Sequence, residues 1–411
     1  MSNNLWVTSS IVLLTYIGIA VGFVPKFRAN RTTIALIGAG LLILFGQVGL
    51  KDIGGFLDVD TLMLLFSMMI LNANLRLAGF FKLTSAFLLR LTRKPMVFLL
   101  IEIIIVGVLS AFFLNDTICI MLTPFLLELL LAMDRNPIPY LIALATAANI
   151  GSTATLTGNP QNMIIGVASG ISYTQFAAAL APIALLGLGC VWLVLKLFYP
   201  KEFAASNFFP IPPTQKVHYY KPLLIKTSLI TVGMLIAFIL GVPIATAAFI
   251  AACALLLTRR VKPEKVFAEI DWGILVFFSA LFIVTGALDK NGVTTALMNN
   301  LQLGGHENVF NLSLVTVVLS NLVSNVPAVL LLRPLIAAMS NPLAGWLTLA
   351  AASTLAGNLT LLGSVANLIV AESAHRRKVA LGFWEYTKAG ALITLLTLII
   401  STGWLQLFVW K

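Results

Sequence analysis

Apolar segments, separated by short polar loops, follow one another along the whole chain. An α-helix rises by about 1.5 Å per residue, so a segment of about 20 apolar residues crosses the roughly 30 Å hydrocarbon core of a bilayer. The pattern predicts membrane-spanning helices, two of which are broken by polar residues near their middle. The predicted segments are 5–24, 32–50, 60–76, 139–170 (broken), 174–198, 223–241, 243–258, 272–288, 343–374 (broken) and 388–409.

Two further segments, 95–132 and 308–340, are apolar at both ends and polar in the middle. The polar positions are 114–117 in the first segment, named the first tip here, and 324–327 in the other, named the second tip. A re-entrant hairpin of two helices fits each segment, although two full spans fit the loop charges equally well. We favour hairpins because ordinary loops would have no reason to match each other.

The two halves of the chain repeat the same pattern. Residues 109–124 superpose on 319–334 at a constant offset of 210, with Ser, Asn and Pro in equal places. Residues 155–162 superpose on 360–367 at an offset of 205. Matched polar interruptions of apolar segments are typical of transporters built from two repeats, with the binding site between the repeats.

The composition supports a membrane protein. Hydrophobic residues make up 59% of the chain and charged residues 10%, whereas charged residues are about a quarter of a soluble domain. The net charge of +11 does not indicate nucleic acid, because the basic residues lie in loops. If the N-terminus is outside, 21 of the 26 Lys and Arg residues lie on the inner side. The positive-inside rule therefore predicts a multi-pass plasma-membrane protein with both termini outside.

The repeats are expected to have opposite orientations, since each half contains five full spans, an odd number. The predicted fold is an all-α polytopic membrane protein with two inverted-topology repeats, each holding a re-entrant hairpin and a broken helix. The first repeat covers 1–200, a cytoplasmic connector covers 201–222, and the second repeat covers 223–411.

The four interruptions predict a shared polar cavity, because irregular backbone at membrane depth must be satisfied by protein or by a water-filled cavity. Helix ends at such breaks offer carbonyl oxygens to a cation and N–H groups to an anion. The nearby side chains offer oxygen ligands, which suit Na⁺ better than a transition metal. A Na⁺ site is predicted at Asn115, Asp116 and Gly158. The predicted substrate- or ion-binding residues are Asn115, Asp116, Thr117, Thr157, Gly158, Asn159, Asn162, Ser324, Asn325, Gly363, Ser364 and Asn367.

Charged residues inside the apolar segments carry separate hypotheses. An ionisable group at the bilayer centre costs about 2.5 to 3.5 kcal/mol on insertion scales, so Asp116 is expected to bind or relay a coupling cation, or to cap the helix that follows it. Arg333 stands where the first half has Thr123; it is a candidate to attract an anion, to neutralise Asp116 or Glu128, or to snorkel to the outer face. Glu102 and Glu128, near the base of the first hairpin, are expected to be solvated or paired.

The motifs of the first half resemble the ion transporter superfamily. They are Asn-Asp-Thr at 115–117, Leu-Thr-Pro at 122–124, and the run from Ala148 to Asn162. This group includes arsenite permeases, NhaD-type Na⁺/H⁺ antiporters, and citrate and divalent-anion/Na⁺ symporters. The resemblance implies a moving transport domain of hairpins and broken helices, an elevator mechanism, and a scaffold that forms a homodimer.

The tips differ from those of the symporter branch, which carries Ser-Asn-Thr at both. Here the first tip is Leu-Asn-Asp-Thr and the second is Ser-Asn-Val-Pro. The resemblance therefore favours a secondary transporter of a small anion or oxyanion, of the arsenite type, driven by H⁺ or Na⁺. The alternatives are a Na⁺/H⁺ antiporter without an anion substrate and a Na⁺-coupled carboxylate or sulfate symporter.

Enzymatic activity is not expected. A membrane aspartate protease needs two carboxylates, but Val326 occupies the position equivalent to Asp116. The three His residues fall in predicted loops, and the three Cys residues are too scattered for a metal site. No ATP-binding loop is present, and no cofactor is expected apart from Na⁺.

Overall fold

The computed structural model describes residues 3–22, 29–91, 94–204, 219–257, 261–294 and 308–410. Within these ranges the regular structure is entirely helical, which confirms the predicted fold class. Residues 205–218 of the predicted connector lie outside the described ranges.

The first half contains the helices of the predicted first repeat. They are α1 (Asn3–Val21), α2 (Arg31–Leu44), α3 (Ile53–Phe56), α4 (Val59–Ala78), α5 (Phe80–Leu91), α6 (Pro95–Phe112), α7 (Asn115–Ala132), α8 (Ile138–Ser152), α9 (Pro160–Ser169) and α10 (Tyr173–Phe198).

The second half follows the same order. Its described helices are α11 (Lys221–Ile239), α12 (Ile244–Leu256), α13 (Pro263–Phe267), α14 (Trp272–Lys290), α15 (Val309–Val323), α16 (Asn325–Ala337), α17 (Pro342–Ala356), α18 (Val365–Arg376) and α19 (Phe383–Phe408). The short helices α3 and α13 were not predicted, and they begin 210 residues apart, which is the offset of the first sequence match.

Helix contacts are also duplicated between the halves. α2 packs on α14 and α4 packs on α12, so each half gives one helix to each of two equivalent pairs. In the same way α6 packs on α8, and α15 packs on α17. The repeat read from the sequence is therefore a repeat of tertiary packing.

The first hairpin ends at the break of the neighbouring helix. Near its base, the Phe98 and Tyr140 ring centroids are 5.7 Å apart, and near its tip the Thr155 hydroxyl donates to the Ala111 carbonyl. α6 and α8 thus run side by side in the same direction, and the chain turns back at the level of the break. This arrangement is a re-entrant hairpin.

Eight of the described helices are long and apolar enough to cross a membrane, and both arms of the first hairpin are among them. Length and composition alone therefore do not separate hairpin arms from full spans. One predicted span, 32–50, is shorter than expected: α2 is capped at Phe45, and Gly46 has a positive φ of 69° that ends the helix.

Candidate functional site

Both broken helices restart inside the protein with capped N-termini. The first break, 153–159, separates α8 from α9, and the second break, 357–364, separates α17 from α18. The Asn159 side chain accepts a hydrogen bond from the Asn162 N–H at 2.9 Å, and the Ser364 hydroxyl accepts one from the Ala366 N–H at 3.2 Å. Each break therefore presents the positive end of a helix dipole to its surroundings.

Asn162 and Asn367 hold the two breaks in the same way. The Asn162 side-chain amide donates to the carbonyls ten and seven residues earlier, at 3.0 and 2.9 Å. The Asn367 amide donates to the carbonyls at the same two spacings, at 2.7 and 3.0 Å. Each asparagine satisfies two carbonyls that the interrupted helix leaves without partners, so these matched residues shape the loops.

Asn149, near the end of α8, joins the first tip to the second break. Its amide nitrogen donates to Asn358 Oδ1 at 2.9 Å and to Asn367 Oδ1 at 3.0 Å. Its amide oxygen accepts from Asn115 Nδ2 at 3.0 Å and from Ser364 Oγ at 3.1 Å. Both donors and both acceptor positions of this side chain are thus used, and every partner lies on another element.

Thr354 plays the reciprocal part on α17. It lies 205 residues after Asn149, the offset of the second sequence match. Its hydroxyl accepts hydrogen bonds from Asn159 Nδ2 and from Gln161 Nε2, both at 3.2 Å. Each broken helix therefore bonds to the break of the other repeat. The side chains linked in this way are named the polar centre; they are Asn115, Asn149, Asn159, Gln161, Thr354, Asn358, Ser364 and Asn367.

The first tip touches the first break through backbone. The Asn115 N–H donates to the Gly158 carbonyl at 3.1 Å. A Cβ at Gly158 would stand 2.4 Å from the Ser152 carbonyl oxygen and 2.8 Å from the Ser110 carbonyl oxygen, so only glycine fits there. Thr157 is fully buried in the same break, with its hydroxyl 3.4 Å from that of Thr155.

The second tip has an unusual backbone. Ser324 has φ 79° and ψ 159°, a region that side chains with a Cβ rarely adopt and that costs about 1 to 3 kcal/mol. This turn places Asn325 at the start of α16, where its Nδ2 lies 3.2 Å from an ideal Cβ built on Gly357. A Cβ at Gly363 would lie 3.0 Å from the Gly357 carbonyl oxygen. The second tip therefore packs on the second break.

Buried acceptors without a hydrogen-bond partner recur at matched positions. They include Asn115 Oδ1 and Asn325 Oδ1 at the tips, and the hydroxyls of Ser110 and Ser320 one turn or more before them. Most buried polar atoms in proteins are paired, so a duplicated set of unpaired oxygens marks a place for a cation, water or polar solute. The oxygen-only donor set fits Na⁺.

A cavity of about 120 Å³ lies beside the first tip. Its walls come from α4, from the start of α7, from the segment that leads into α14, and from the N-termini of α9 and α18 at Pro160 and Val365. The charged or polar side chains that line it are Asn72, Arg76, Asp116, Thr117, Glu269 and Asp271.

The cavity is predominantly acidic. Three carboxyl groups and one guanidinium line it. The guanidinium belongs to Arg76 and is bonded to Glu269 at 2.6 Å. Asp271 caps α14 by accepting from the Ile274 N–H at 3.2 Å. Thr117 Oγ1 accepts from Asn72 Nδ2 at 3.4 Å, and the Asn72 Oδ1 has no partner. A cation, a proton or a neutral hydroxylated solute suits such a lining better than a multivalent anion.

Arg333 bonds to Asp58 at the N-terminus of α4 rather than to Asp116 or Glu128. Its Nη1 lies 3.1 Å from Asp58 Oδ2, while Asp58 Oδ1 caps α4. Glu128 instead faces Arg377 at 3.8 Å, as expected of a paired residue. Glu102 is different, because it is buried and its carboxyl oxygens have no hydrogen-bond partner among the described residues.

The structure divides the sequence-predicted residues into two groups. Asp116 and Thr117 line the cavity. The remaining residues lie at the tips and breaks, within the polar centre or packed on it; they are Asn115, Thr157, Gly158, Asn159, Asn162, Ser324, Asn325, Gly363, Ser364 and Asn367. Of the three residues of the predicted Na⁺ site, Asp116 lines the cavity, whereas Asn115 and Gly158 do not.

The sequence of the chain is similar to those of known transporters. The sequence profile of the citrate transporter family CitMHS matches residues 16–356. The chain belongs to this family. It is 32% identical to the silicon efflux transporter LSI3 of Oryza sativa subsp. japonica, over 92% of this chain and 93% of that protein. It is 27% identical to the putative transporter arsB of Dictyostelium discoideum, over 96% and 90% of the two chains.

A solved structure shares the fold. The YdaH transporter of Alcanivorax borkumensis superposes with a TM-score of 0.63 over 99% of both chains, at 16% sequence identity. Together with the family match, this makes the protein an integral membrane transporter within the ion transporter superfamily, as the tip and break motifs predicted.

Several residues of the centre were not predicted. Asn149, Thr354 and Asn358 link the repeats, and Asp271 faces the cavity. Asn149 had a sequence signal, because it is a polar residue inside a helix whose described residues are all buried. The signal for Asp271 was weaker, since it lies directly at the boundary between a loop and a predicted span.

Proposed function

We propose that this family member is a secondary active transporter of a small hydroxylated inorganic solute, of the arsenite or silicate type, driven by H⁺ or Na⁺. The observation that carries the proposal is the small acidic cavity between the first tip and α4 and α14. Both helix N-termini from the breaks open onto it. In the same proposal both termini of the chain lie outside the plasma membrane.

The size of the cavity supports a small solute. An engineered cavity of about 150 Å³ holds benzene, and citrate has about twice as many heavy atoms as benzene. A cavity of about 120 Å³ is therefore too small for citrate unless the walls move. Arsenous and silicic acids are compact, and their hydroxyl groups can accept from the helix N-termini and donate to carboxylates.

The charge of the cavity supports the same class. A citrate trianion would meet three carboxyl groups, whereas arsenous and silicic acids are uncharged near neutral pH. Two relatives carry names that agree with this chemistry, a silicon efflux transporter and a putative arsB transporter.

Alternating access is supported by a pair of equivalent aspartates. Asp58 and Asp271 cap α4 and α14 with nearly the same backbone angles, φ and ψ being −79° and 87° at one and −80° and 85° at the other. Asp58 is bonded to Arg333 of the second hairpin, whereas Asp271 faces Asp116 of the first hairpin across the cavity. On one side the aspartate is held in an ion pair, and on the opposite side the equivalent aspartate faces a cavity.

This asymmetry supports an elevator-type cycle. With the predicted orientation, Asp58 lies at the outer surface and Asp271 at the inner surface, so the proposal assigns this arrangement to an inward-open state. Hairpins and broken helices would move against a scaffold that includes the α2–α14 and α4–α12 pairs. Breaking the Arg333–Asp58 bond would be part of the outward movement.

Coupling is assigned to the tips. Asp116 would bind the driving proton or share a cation with Asp271, because both line the cavity. If Na⁺ drives transport, Asn115 Oδ1 and Asn325 Oδ1 are the acceptors that would hold it, one at each tip.

The same acidic cavity favours a second candidate, a Na⁺/H⁺ antiporter that carries no anion. In that case Asp116 and Asp271 would bind the exchanged cation themselves. Cation exchange that needs no inorganic or organic solute is the distinguishing property.

Proteoliposomes of the purified protein test the proposal. Uptake of arsenite, silicate, phosphate, sulfate, succinate and citrate is measured under imposed pH or Na⁺ gradients, with Asp116→Asn and Glu128→Gln as matched carboxylate variants. We expect gradient-driven movement of arsenite or silicate, lost in Asp116→Asn and kept in Glu128→Gln. Movement of citrate or sulfate alone, or Na⁺/H⁺ exchange without any solute, would contradict the proposal. The mass of the detergent-solubilised protein tests the homodimer that the resemblance implies.

A further inference from the structure

Glu102 is a carboxyl group buried within the first hairpin, away from the tips and the acidic cavity. It lies in the middle of α6 and is 1% exposed. Neither of its carboxyl oxygens has a hydrogen-bond partner among the described residues. The sequence suggested a solvated or paired residue at the base of the hairpin, but the side chain is in the core.

The surroundings of Glu102 are almost entirely apolar. It borders a cavity of about 10 Å³ whose other lining residues are aliphatic or aromatic, apart from Ser85 on α5. A cavity needs about 10 to 15 Å³ to hold one water molecule, so at most one fits beside the carboxyl group. The Ser85 hydroxyl donates to the Phe81 carbonyl at 2.9 Å, so its hydrogen is already used.

Cations do not neutralise Glu102 in the described part of the chain. α6 is packed against α5, α7, α8 and α10. The titratable side chains described on these four helices are Lys82, Asp116, Cys119, Glu128, Tyr140, Tyr173, Cys190 and Lys196. Of these, Tyr140 donates its hydroxyl to Glu202 at 3.1 Å. Glu202 is itself bonded to Arg135 at 2.8 Å, so that cation already has a carboxylate partner.

A carboxylate in such a place is unfavourable. An isolated charge without hydrogen-bond donors or a counter-ion is strongly destabilised in a low-dielectric interior, and the group takes up a proton instead. The equivalent residue of the second hairpin, at the offset of 210, is Leu312. The fold of a hairpin therefore does not require an acid at this position, and an acid kept at membrane depth indicates a functional role.

We propose that Glu102 is a second proton-binding site, one that holds its proton while the first hairpin, together with α8, is packed against α5. The proton leaves to water when movement of the hairpin hydrates the carboxyl group, and it returns when the hairpin packs again. Proton occupancy of Glu102 thereby favours one conformation of the hairpin. This part of the mechanism rests on the proposed transport cycle, whereas the protonated state itself does not.

Infrared spectroscopy of the purified wild-type protein tests the protonated state without any substrate. A protonated carboxyl group has a carbonyl stretch that a carboxylate lacks, and this band shifts in D₂O. At neutral pH we expect the band in the wild-type protein, loss of the Glu102 component in Glu102→Gln and Glu102→Leu, and an unchanged band in Glu128→Gln; any component from Asp116 is identified by its loss in Asp116→Asn. Glu102→Leu copies Leu312 and guards against misfolding of the glutamine variant. A band unchanged by both Glu102 substitutions would overturn the proposal.

Transport assays test the link to hairpin movement. In proteoliposomes that carry solute down its own gradient, both Glu102 variants should show a weaker dependence of flux on an imposed pH gradient, because the site at Asp116 remains, while Glu128→Gln keeps the wild-type dependence. Unchanged pH dependence in both Glu102 variants would overturn the transport role. The two proposals fail separately: if the wild-type protein moves none of the tested solutes, the proposed function fails, while the infrared band still decides whether Glu102 is protonated.

Discussion

Replacing Asn149 by alanine tests whether the polar centre is held together across the two repeats. The side chain makes four hydrogen bonds, to Asn358, Asn367, Asn115 and Ser364. Side-chain hydrogen bonds inside membrane proteins stabilise by about 0.6 kcal/mol on average, so the loss of all four amounts to about 2.4 kcal/mol. A factor of ten corresponds to about 1.4 kcal/mol, so the folded population falls by about 50-fold relative to the unfolded one.

The matched control is Asn74→Ala. Asn74 is also fully buried, but its amide donates to the Ile70 carbonyl of its own helix at 2.8 Å and makes no hydrogen bond to another described element. We expect this variant to lose about 0.6 kcal/mol, the average for one bond. Both variants therefore remove a carboxamide from a buried position on a helix. They differ because the Asn149 side chain bonds to other elements, whereas that of Asn74 bonds to its own helix.

The assay is the free energy of unfolding in mixed micelles of SDS and a mild detergent, together with solute flux in proteoliposomes. Asn149→Ala should be less stable than Asn74→Ala by about 1.8 kcal/mol, the difference between four bonds and one at that average. Its flux should fall as well, because the first tip and the second break are no longer joined. Equal stability of the two variants, with wild-type flux in Asn149→Ala, would refute the reasoning.

Two further predictions concern the tips and the first break. Asn115→Ala and Asn325→Ala should each weaken substrate or cation binding, because each removes an unpaired acceptor at a matched tip; wild-type affinity in both, measured by concentration-dependent flux, would exclude a site made by the two tips. Gly158→Ala should destabilise the protein strongly, since its Cβ would stand 2.4 Å from the Ser152 carbonyl, whereas Gly403→Ala in α19 meets nothing within 4 Å and should be neutral or slightly stabilising. Thermal unfolding that fails to separate these two glycine variants would contradict the close packing of the break.

The hairpins and broken helices could be predicted from the sequence because polar residues interrupt apolar runs at sharply defined positions. The segment predicted as 95–132 forms α6 and α7 with the same outer limits, and the broken segment 343–374 forms α17 and α18 within two residues. Helix length and lipid exposure impose these limits locally. Such elements need no information about distant parts of the chain.

Contacts between the repeats could not be predicted in the same way. Asn149 and Thr354 occupy equivalent positions but are different residue types, so comparison of the halves by identity does not find them. The partners of Asn149 on the second repeat are 209 to 218 residues away. The depth of Glu102 depends on how α6 is aligned with α8, and hydrophobicity alone does not fix that alignment.

Within the hairpins, the two repeats differ in their charged residues, although their helices are arranged in the same way. At equivalent positions, Asp116 corresponds to Val326, Glu102 to Leu312, and Arg333 to Thr123. Asn162 and its counterpart Asn367 hold the two breaks in the same way, so the framework stays nearly symmetric. A symmetric framework of inverted repeats would give its inward-open and outward-open states equal energies. We infer that these charged substitutions make the two states unequal, and that binding or release of protons or cations at the acids shifts the balance, as a coupled transporter requires.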